Sequence, residues 1–341
     1  MKRPLLYMLL LICTAGCIKE KTVPGPAGDR TTATLRSLLA NNFTFSMFYT
    51  AMRRAGVDTL LDGHAYTLLL PDNNAFAGAG ITADSLDRIP VETLRKQILY
   101  HVLRGSFRRM DVPQAIDYQY LTMEGNALFT SVNLTASPQL RDTTIYVNGI
   151  PAVRQDVMAV NGVIHILQKP LTVPVSSVQY LLEQNPDYSC LVAGFKKFGL
   201  WNRLLEPGPF VIMAPTNESF AQHNWDEAAI NDMQPETFRP LVFSCYQLNS
   251  MFFFNIDFMK LAPPSGPVLL DSAYLKYDGN LPDGTFGFRV LPLNYRELEG
   301  AQMIYWYGRT FGINKPDQLA ANGIVHQIDK VGVVPDSVKI R

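Results

Sequence analysis

The sequence predicts an α+β protein built from two copies of one module. The first observation is a heptad, NGVIHIL at residues 161–167, which returns as NGIVHQI at residues 322–328. Each copy is a glycine-containing turn followed by alternating apolar residues, which is typical of a half-buried strand. The second is that helical spacings and strand patterns precede each heptad in the same order. The third is size, because 341 residues that are 47% hydrophobic and 18% charged suffice for two ordinary domains.

The repeat extends well beyond the heptad. Asn42 aligns with Asn185 without a gap, and PDNNAF at residues 71–76 aligns with PTNESF at residues 215–220 after a shift of one residue. Internal periodicity of this length indicates a duplicated structural unit. The heptads match at a larger offset, so the second copy carries extra residues. We therefore predict these boundaries: a first module at residues 31–173, a second at residues 176–336, and an insertion within the second at about residues 263–314.

Several motifs in each copy resemble those of a known family. A strand that ends in proline and leads to a capped phenylalanine (LLLPDNNAF, VIMAPTNESF), an amphipathic helix (LRKQILYHVLRG) and NGVIHILQKPL occur in order. Together they resemble the fasciclin-type (FAS1) domain. The resemblance implies two tandem fasciclin-type domains, each a wedge-shaped β-sandwich with packed α-helices. It also implies adhesion or ligand binding rather than catalysis.

The elements of the first module follow from local patterns. Apolar residues spaced three and four apart predict one helix from Leu35 to Met52. Tyr66 to Leu70 is a continuous apolar strand ended by Pro71, after which either Asp72 or Asn73 caps a short helix. A second amphipathic helix begins after a proline, at residues 90–102.

Residues 118–157 have a β pattern, and Asn148-Gly149 is a strong hairpin signal. The connection between the modules, residues 171–177, is short and contains Pro174. Such a link restricts the relative orientation of the two modules and favours one composite surface. In the insertion, Asp278-Gly279 and Asp283-Gly284 are turn signals that predict extra hairpins or a long loop.

The first residues are typical of a targeting signal. Lys2 and Arg3 precede an apolar run that is too short to cross a membrane, so residues 1–16 are predicted to be a signal peptide. The segment ending at Cys17 resembles a bacterial lipobox, which implies cleavage before Cys17 and its acylation. Ile18 after that cysteine favours the outer membrane, at its surface or its periplasmic face. The alternative is an ordinary secreted protein. Residues 17–30 are predicted to be a flexible tether.

Composition and motifs narrow the chemistry. Thirty basic and thirty acidic residues cancel, so no net charge attracts the chain to nucleic acid. The five histidines have no metal-ligand spacing, and we predict no cofactor, no metal and no enzymatic activity. His165 and His326 occupy equivalent strand positions, which favours an architectural role. Cys190 and Cys245 are expected to be buried free thiols, and a disulfide between them is the alternative.

Four residues are candidates for contact with a partner. Tyr100-His101 lies in a region that resembles a proposed receptor contact of animal fasciclin-type proteins, but the helical spacing favours a helix-end histidine bonded to nearby backbone. Phe253 and Trp306 belong to two aromatic runs, residues 251–254 and 304–311. These runs form either an apolar core or a contact for carbohydrate or protein.

The resulting hypothesis is a lipid-anchored cell-envelope protein with FAS1 domains that serves adhesion or ligand binding without catalysis. Its partners would be extracellular or envelope proteins or glycans, together with the membrane that holds the anchor. The alternative is an accessory glycan-binding subunit of an outer-membrane polysaccharide-capture system. That alternative predicts exposed aromatic side chains in the second module.

Overall fold

The computed structural model describes residues 32–132, 143–239, 241–248, 252–257, 268–269, 273–280, 286–292, 313–332 and 339–340. The predicted signal peptide, the tether, Cys17 and Trp306 lie outside these residues. Within the described part, no helix has the length and apolar character that crossing a membrane requires.

Short helices and strands follow one another in the first half of the chain. The helices are α1 (Leu35–Asn41), α2 (Ser46–Arg54), α3 (Asn73–Gly78), α4 (Ala83–Arg88) and α5 (Val91–Tyr100). The strands are β1 (Tyr66–Pro71), β2 (Val102–Arg104), β3 (Tyr118–Leu121), β4 (Ala127–Ser131), β5 (Tyr146–Val147), β6 (Ile150–Ala159) and β7 (Gly162–Leu167).

The second half begins with the same order of elements. The helices are α6 (Val178–Gln184), α7 (Ser189–Lys197), α8 (Asn217–Ala221), α9 (Glu227–Asn231) and α10 (Leu241–Ser244). The strands are β8 (Phe210–Pro215), β9 (Gln247–Leu248), β10 (Val268–Leu269), β11 (Ala273–Asn280), β12 (Phe286–Pro292), β13 (Ile313–Ala320) and β14 (Gly323–Ile328). Helices and mixed sheets thus coexist, and the predicted α+β class is confirmed.

The strands of the first half form one curled sheet in the order β2-β1-β7-β6-β5-β4-β3. β1 and β7 are parallel neighbours, with Leu69 opposite His165. Leu103, on the edge strand β2, forms a β-bridge with Thr122, which follows the opposite edge strand β3. Buried apolar residues from both ends of the sheet fill the space inside. The two layers expected of a sandwich therefore belong to one continuous sheet.

The second half has a four-stranded sheet in the order β13-β14-β8-β9. Its central strands, β8 and β14, are parallel, with Met213 opposite His326. The pair β1 and β7 has the same direction, and the glycine of each heptad faces the first residue of the partner strand. The sheet core of the two halves is thus arranged alike.

The Asn-Gly pair that opens each heptad has a packing role. A Cβ on Gly162 would lie 2.1 Å from the Tyr66 carbonyl oxygen, and one on Gly323 would lie 2.1 Å from that of Phe210. Real Cβ atoms do not approach backbone so closely, so only glycine allows the two central strands to pair here.

The asparagine before that glycine ties the heptad to the first helix of its own half. Asn161 Oδ1 accepts a hydrogen bond from the Leu35 N–H over 2.8 Å. In the second half, Asn322 Oδ1 accepts from the Val178 N–H over 2.9 Å. Each bond satisfies a backbone donor in the first turn of a helix, where no intrahelical acceptor exists.

The predicted single helix from Leu35 to Met52 is wrong. It breaks at Asn42, whose side-chain oxygen accepts from the Thr44 N–H over 3.0 Å. Asparagine competes with helical hydrogen bonding in this way, and the local turn that results starts a new helix. Asp72, and not Asn73, caps α3 by accepting from the Ala75 N–H over 2.8 Å.

The insertion of the second half contains a separate three-stranded antiparallel sheet, β10-β11-β12. Asp278-Gly279 lies inside β11, where the register shifts between Tyr277 and Gly279. The turn predicted at Asp278-Gly279 is therefore wrong, because an aspartate and a glycine also suit a bulge within a strand. Asp283-Gly284 lies outside the described residues.

Cys190 and Cys245 are both buried and unbridged, as favoured from the sequence. Burial raises the pKa of both thiols. They therefore behave as small core residues that keep their protons.

Candidate functional site

The paired histidines of the heptads are structural. The Asp156 N–H points at His165 Nδ1 over 3.4 Å, and His165 Nε2 lies 2.8 Å from the Phe107 carbonyl oxygen. Because Nδ1 accepts from a backbone donor, the ring proton resides on Nε2 and is donated to Phe107. Burial lowers the pKa of His165 and keeps the imidazole neutral.

The second half repeats this arrangement with closer geometry. The Asp317 N–H donates to His326 Nδ1 over 3.1 Å, and His326 Nε2 lies 2.9 Å from the Phe253 carbonyl oxygen. Both aspartates, nine residues before their histidine, adopt a positive φ, 57° at Asp156 and 62° at Asp317. The histidine therefore holds a strained turn of the preceding strand in place. The two aspartates were not predicted as its partners, although their equal spacing from the histidines is a signal in the sequence.

Tyr100 and His101 lie in the interior and not at the surface. Tyr100 is fully buried and His101 is 3% exposed. The Tyr100 hydroxyl donates to the Ala127 carbonyl over 2.9 Å, and the Leu171 N–H donates to His101 Nε2 over 2.9 Å. Their direct contact with a partner is therefore a wrong prediction for the folded domain, because packing hides both rings.

Burial also fixes the protonation of these two side chains. It lowers the pKa of His101 to about 4, although the nearby Gln97 carbonyl oxygen, 2.7 Å from Nδ1, acts in the opposite direction. Burial raises the pKa of the Tyr100 hydroxyl. His101 thus joins the end of α5 to the segment after β7 as a neutral ring.

An aromatic cluster joins the two halves of the chain. Phe129 of β4 stacks on Phe252 of the second half, with ring centroids 3.9 Å apart and planes inclined by 21°. Phe254 and Ile324 complete this cluster, which we call the junction. Phe252 is 8% exposed and Phe254 is 1% exposed. Most of the described part of the run at 251–254 is thus interface core.

This placement corrects the glycan hypothesis in part. Phe252 and Phe254 do not form an exposed platform, because their rings are buried in the junction. Phe253, a candidate contact residue, is half-buried and packs against the core of the second half. The other aromatic run, with Trp306, lies outside the described residues.

Backbone and polar contacts reinforce the junction. Asp117 Oδ2 accepts from the Phe252 N–H over 3.2 Å. Val175, in the connection between the halves, forms a parallel bridge with Ala320, and the Ala321 N–H donates to the Val175 carbonyl over 2.8 Å. The short connection is therefore hydrogen-bonded to the second half.

Three carboxylates, those of Asp117, Asp257 and Asp317, accept hydrogen bonds from the backbone of residues 252–255. Asp257 is fully buried, and its Oδ2 accepts from the Phe254 N–H over 2.8 Å while its Oδ1 has no hydrogen-bond partner among the described residues. Burial raises the pKa of Asp257 to about 7, and the charges of Asp317 and Asp117 raise it further. The Ser131 side chain and the Phe254 N–H act in the opposite direction. Asp257 is therefore a buried carboxyl group that holds its proton more tightly than an exposed aspartate does.

A cleft of about 360 Å³ opens beside the junction. Side chains from both halves line it, and five of the eleven lining residues carry amide, hydroxyl or charged groups: Asn148, Gln168, Lys169, Thr172 and Asp317. The Asn148 side-chain oxygen accepts from the Phe129 N–H over 2.8 Å, which fixes the wall against the aromatic cluster. Such a lining suits hydrogen-bonding ligands. In the described ranges, no group of three His, Cys, Asp or Glu is placed to hold a metal ion.

The fold and the junction define an α+β module whose buried histidines serve its architecture. A family model described as the Fasciclin domain matches residues 43–174. The chain is also 29% identical over 193 residues to transforming growth factor-beta-induced protein ig-h3 of Sus scrofa. The matched region covers 55% of this chain and 26% of that protein. It therefore spans about a quarter of that relative.

Among solved structures, a FAS1 domain pair from the insect cell adhesion molecule fasciclin I is 20% identical in sequence. The match covers 87% of this chain and 99% of that chain, with a TM-score of 0.39. The family match assigns residues 43–174, in the first half of the chain, to a fasciclin (FAS1) domain.

Proposed function

We propose that this protein is a lipid-anchored component of the cell envelope that binds a partner through two fasciclin-type domains acting as one unit. The second half is the second domain in this proposal, because it repeats the parallel strand pair, the Asn-Gly turn and the buried histidine of the first. Cys17 carries the anchor, and residues 17–30 hold the domains away from the outer membrane.

The observation that carries the proposal is the junction. Phe129 and Phe252 bury their facing surfaces, and stacked aromatic pairs of this kind contribute about 0.5–1.5 kcal/mol beyond their buried area. The cleft between the halves then presents groups from both to one ligand. Affinity for an envelope or extracellular partner needs such a preorganised surface and no reactive side chain.

The proposal is tested by capture. The chain from Ile18 onward, which keeps every described residue, is immobilised and exposed to envelope proteins and extracellular glycans. We expect saturable binding that Gln168→Ala combined with Thr172→Ala weakens at least tenfold, because both side chains line the cleft. The exposed pair Val153→Ala and Leu205→Ala is the matched control. Binding that is insensitive to the cleft variant contradicts the proposed surface.

Anchoring has its own experiment. Cells expressing the full chain are labelled with an alkyne fatty acid, and the membrane fraction is compared with that of Cys17→Ser. We expect label and membrane association to depend on Cys17. Equal membrane association of both proteins contradicts the lipid anchor without affecting the binding experiment.

A further inference from the structure

A second cavity lies within the first half and shares Lys169, Leu171 and Thr172 with the junction cleft. It measures about 620 Å³ and is enclosed by α2, α3, α4, α5 and the segment after β7. Most of its lining is apolar, and the principal side chains are Phe48, Phe76, Ile81, Leu86 and Ile98. Small-molecule sites in proteins have this size and this apolar character.

The same place in the second half is filled. Ile81 immediately precedes Thr82, the N-cap of α4, and Trp225 immediately precedes Asp226, the N-cap of α9. The Trp225 side chain is 9% exposed. An indole thus occupies, in one half, the position that a smaller aliphatic side chain leaves open in the other.

Ring geometry shows how completely Trp225 is packed. Its ring lies 6.5 Å from that of Phe220, with planes inclined by 17°, and 6.1 Å from that of Phe243, with planes inclined by 23°. Phe220 corresponds to Phe76, since each lies four residues after the N-cap of its helix. Both halves therefore have this phenylalanine, but in the first half no indole packs against it, because Ile81 stands at the position of Trp225.

The polar groups of the cavity define the other end of a ligand. His101 closes the interior as a neutral ring whose two nitrogens already contact the Gln97 carbonyl and the Leu171 N–H. Among the described residues that line the cavity, the one charged side chain is Lys169, which is exposed. An apolar body is favoured inside, because it removes both its own surface and that of the lining from water.

We propose that this cavity binds a small amphiphile, a fatty-acid-like carboxylate, with its apolar body over Phe76 and its anionic head at Lys169. The ligand takes the place that the Trp225 indole fills in the second half. Lys169 and Thr172 line both this cavity and the cleft proposed above as the partner-binding surface. Ile81 lines this cavity alone and Gln168 lines the cleft alone, so Ile81→Trp and Gln168→Ala distinguish the failure of one proposal from that of the other.

The test uses the chain from Ile18 onward and titration calorimetry with dodecanoate, dodecylamine and dodecanol, each below the concentration at which it forms micelles. We expect saturable binding of dodecanoate with one site per chain, and at least tenfold weaker binding of dodecylamine. Absence of saturable dodecanoate binding, or equal affinity for the amine, overturns the proposal.

Two variants locate the site. Ile81→Trp should fill the cavity and weaken dodecanoate binding at least tenfold, whereas Val153→Trp, on the exposed side of β6, should not. Lys169→Glu should weaken dodecanoate binding at least fivefold and leave dodecanol unchanged. Thermal unfolding confirms that each variant folds. If Ile81→Trp does not fold, Lys169→Glu still tests the site, because Lys169 is exposed and its substitution leaves the core unchanged. Unchanged dodecanoate affinity in folded Ile81→Trp or in Lys169→Glu overturns the assignment.

Discussion

The ring of Phe252 stacks on that of Phe129 across the junction, although the two residues lie in different halves of the chain. The contact couples the two halves. We expect Phe252→Ala to lower the free energy of unfolding by about 3–5 kcal/mol, the usual cost of removing a buried phenylalanine. Thermal unfolding measures it, and a single transition should become two. Phe43→Ala, at a residue that is 83% exposed, should stay within about 0.5 kcal/mol of the wild type. Equal effects would contradict a coupling role.

Asp257 should make stability depend on pH. Its pKa is raised from 3.8 to about 7 by burial, so the folded protein holds this proton more tightly than the unfolded chain. The stabilisation is complete below about pH 4 and is lost as pH rises toward 7. Asp257→Asn removes the charge, so the variant should gain up to about 4 kcal/mol over the wild type at pH 8 and far less at pH 4.

Denaturant unfolding across this pH range tests the Asp257 prediction, with the exposed Asp87→Asn as control. The variant-minus-wild-type difference must be followed, because the lowered pKa of His101 gives an opposite slope between pH 4 and 6.5. A difference that does not change with pH would show that Asp257 stays charged in the folded protein.

A side chain at Gly149 should destabilise the protein. Its φ is +77°, and an added Cβ would lie 3.1 Å from Phe254 Cβ and 3.2 Å from Asp317 Oδ2. Gly199 has nearly the same φ, +73°, but no atom within 4 Å. We expect Gly199→Ala to cost about 1 kcal/mol through backbone strain alone, and Gly149→Ala to cost about 1–3 kcal/mol more through the junction contacts. Equal costs in chemical denaturation would mean that the junction yields without penalty.

The two described cysteines should be inert until the protein unfolds. Cys190 is 4% exposed and Cys245 is 1% exposed, and burial raises the pKa of both thiols. A chain that begins at Ile18 should therefore react with a thiol reagent in denaturant and not in buffer. Ser106→Cys, at an exposed position, supplies a control that reacts at once. Rapid labelling of the unmodified chain in buffer would contradict the packing around α7 and α10.

Local features of the chain were predictable because neighbouring residues specify them. The hairpin at Asn148-Gly149 forms as expected, with φ of 46° and 77° that suit asparagine and glycine. The strand before Pro71 and the helix after Pro90 are likewise present. The break at Asn42 was not predictable from apolar spacing, because that spacing continues through it while a single side-chain hydrogen bond ends the helix.

The sequence by itself determined the α+β class, the fasciclin-type motifs and the equivalence of His165 and His326, since each rests on local pattern and repetition. Only the tertiary structure decided that Tyr100 and His101 are interior, that Phe252 and Phe254 join the halves, and that Asp257 is buried. Burial depends on residues distant in the chain that pack against each group. The local spacing of apolar residues does not determine which distant surface a given side chain will pack against.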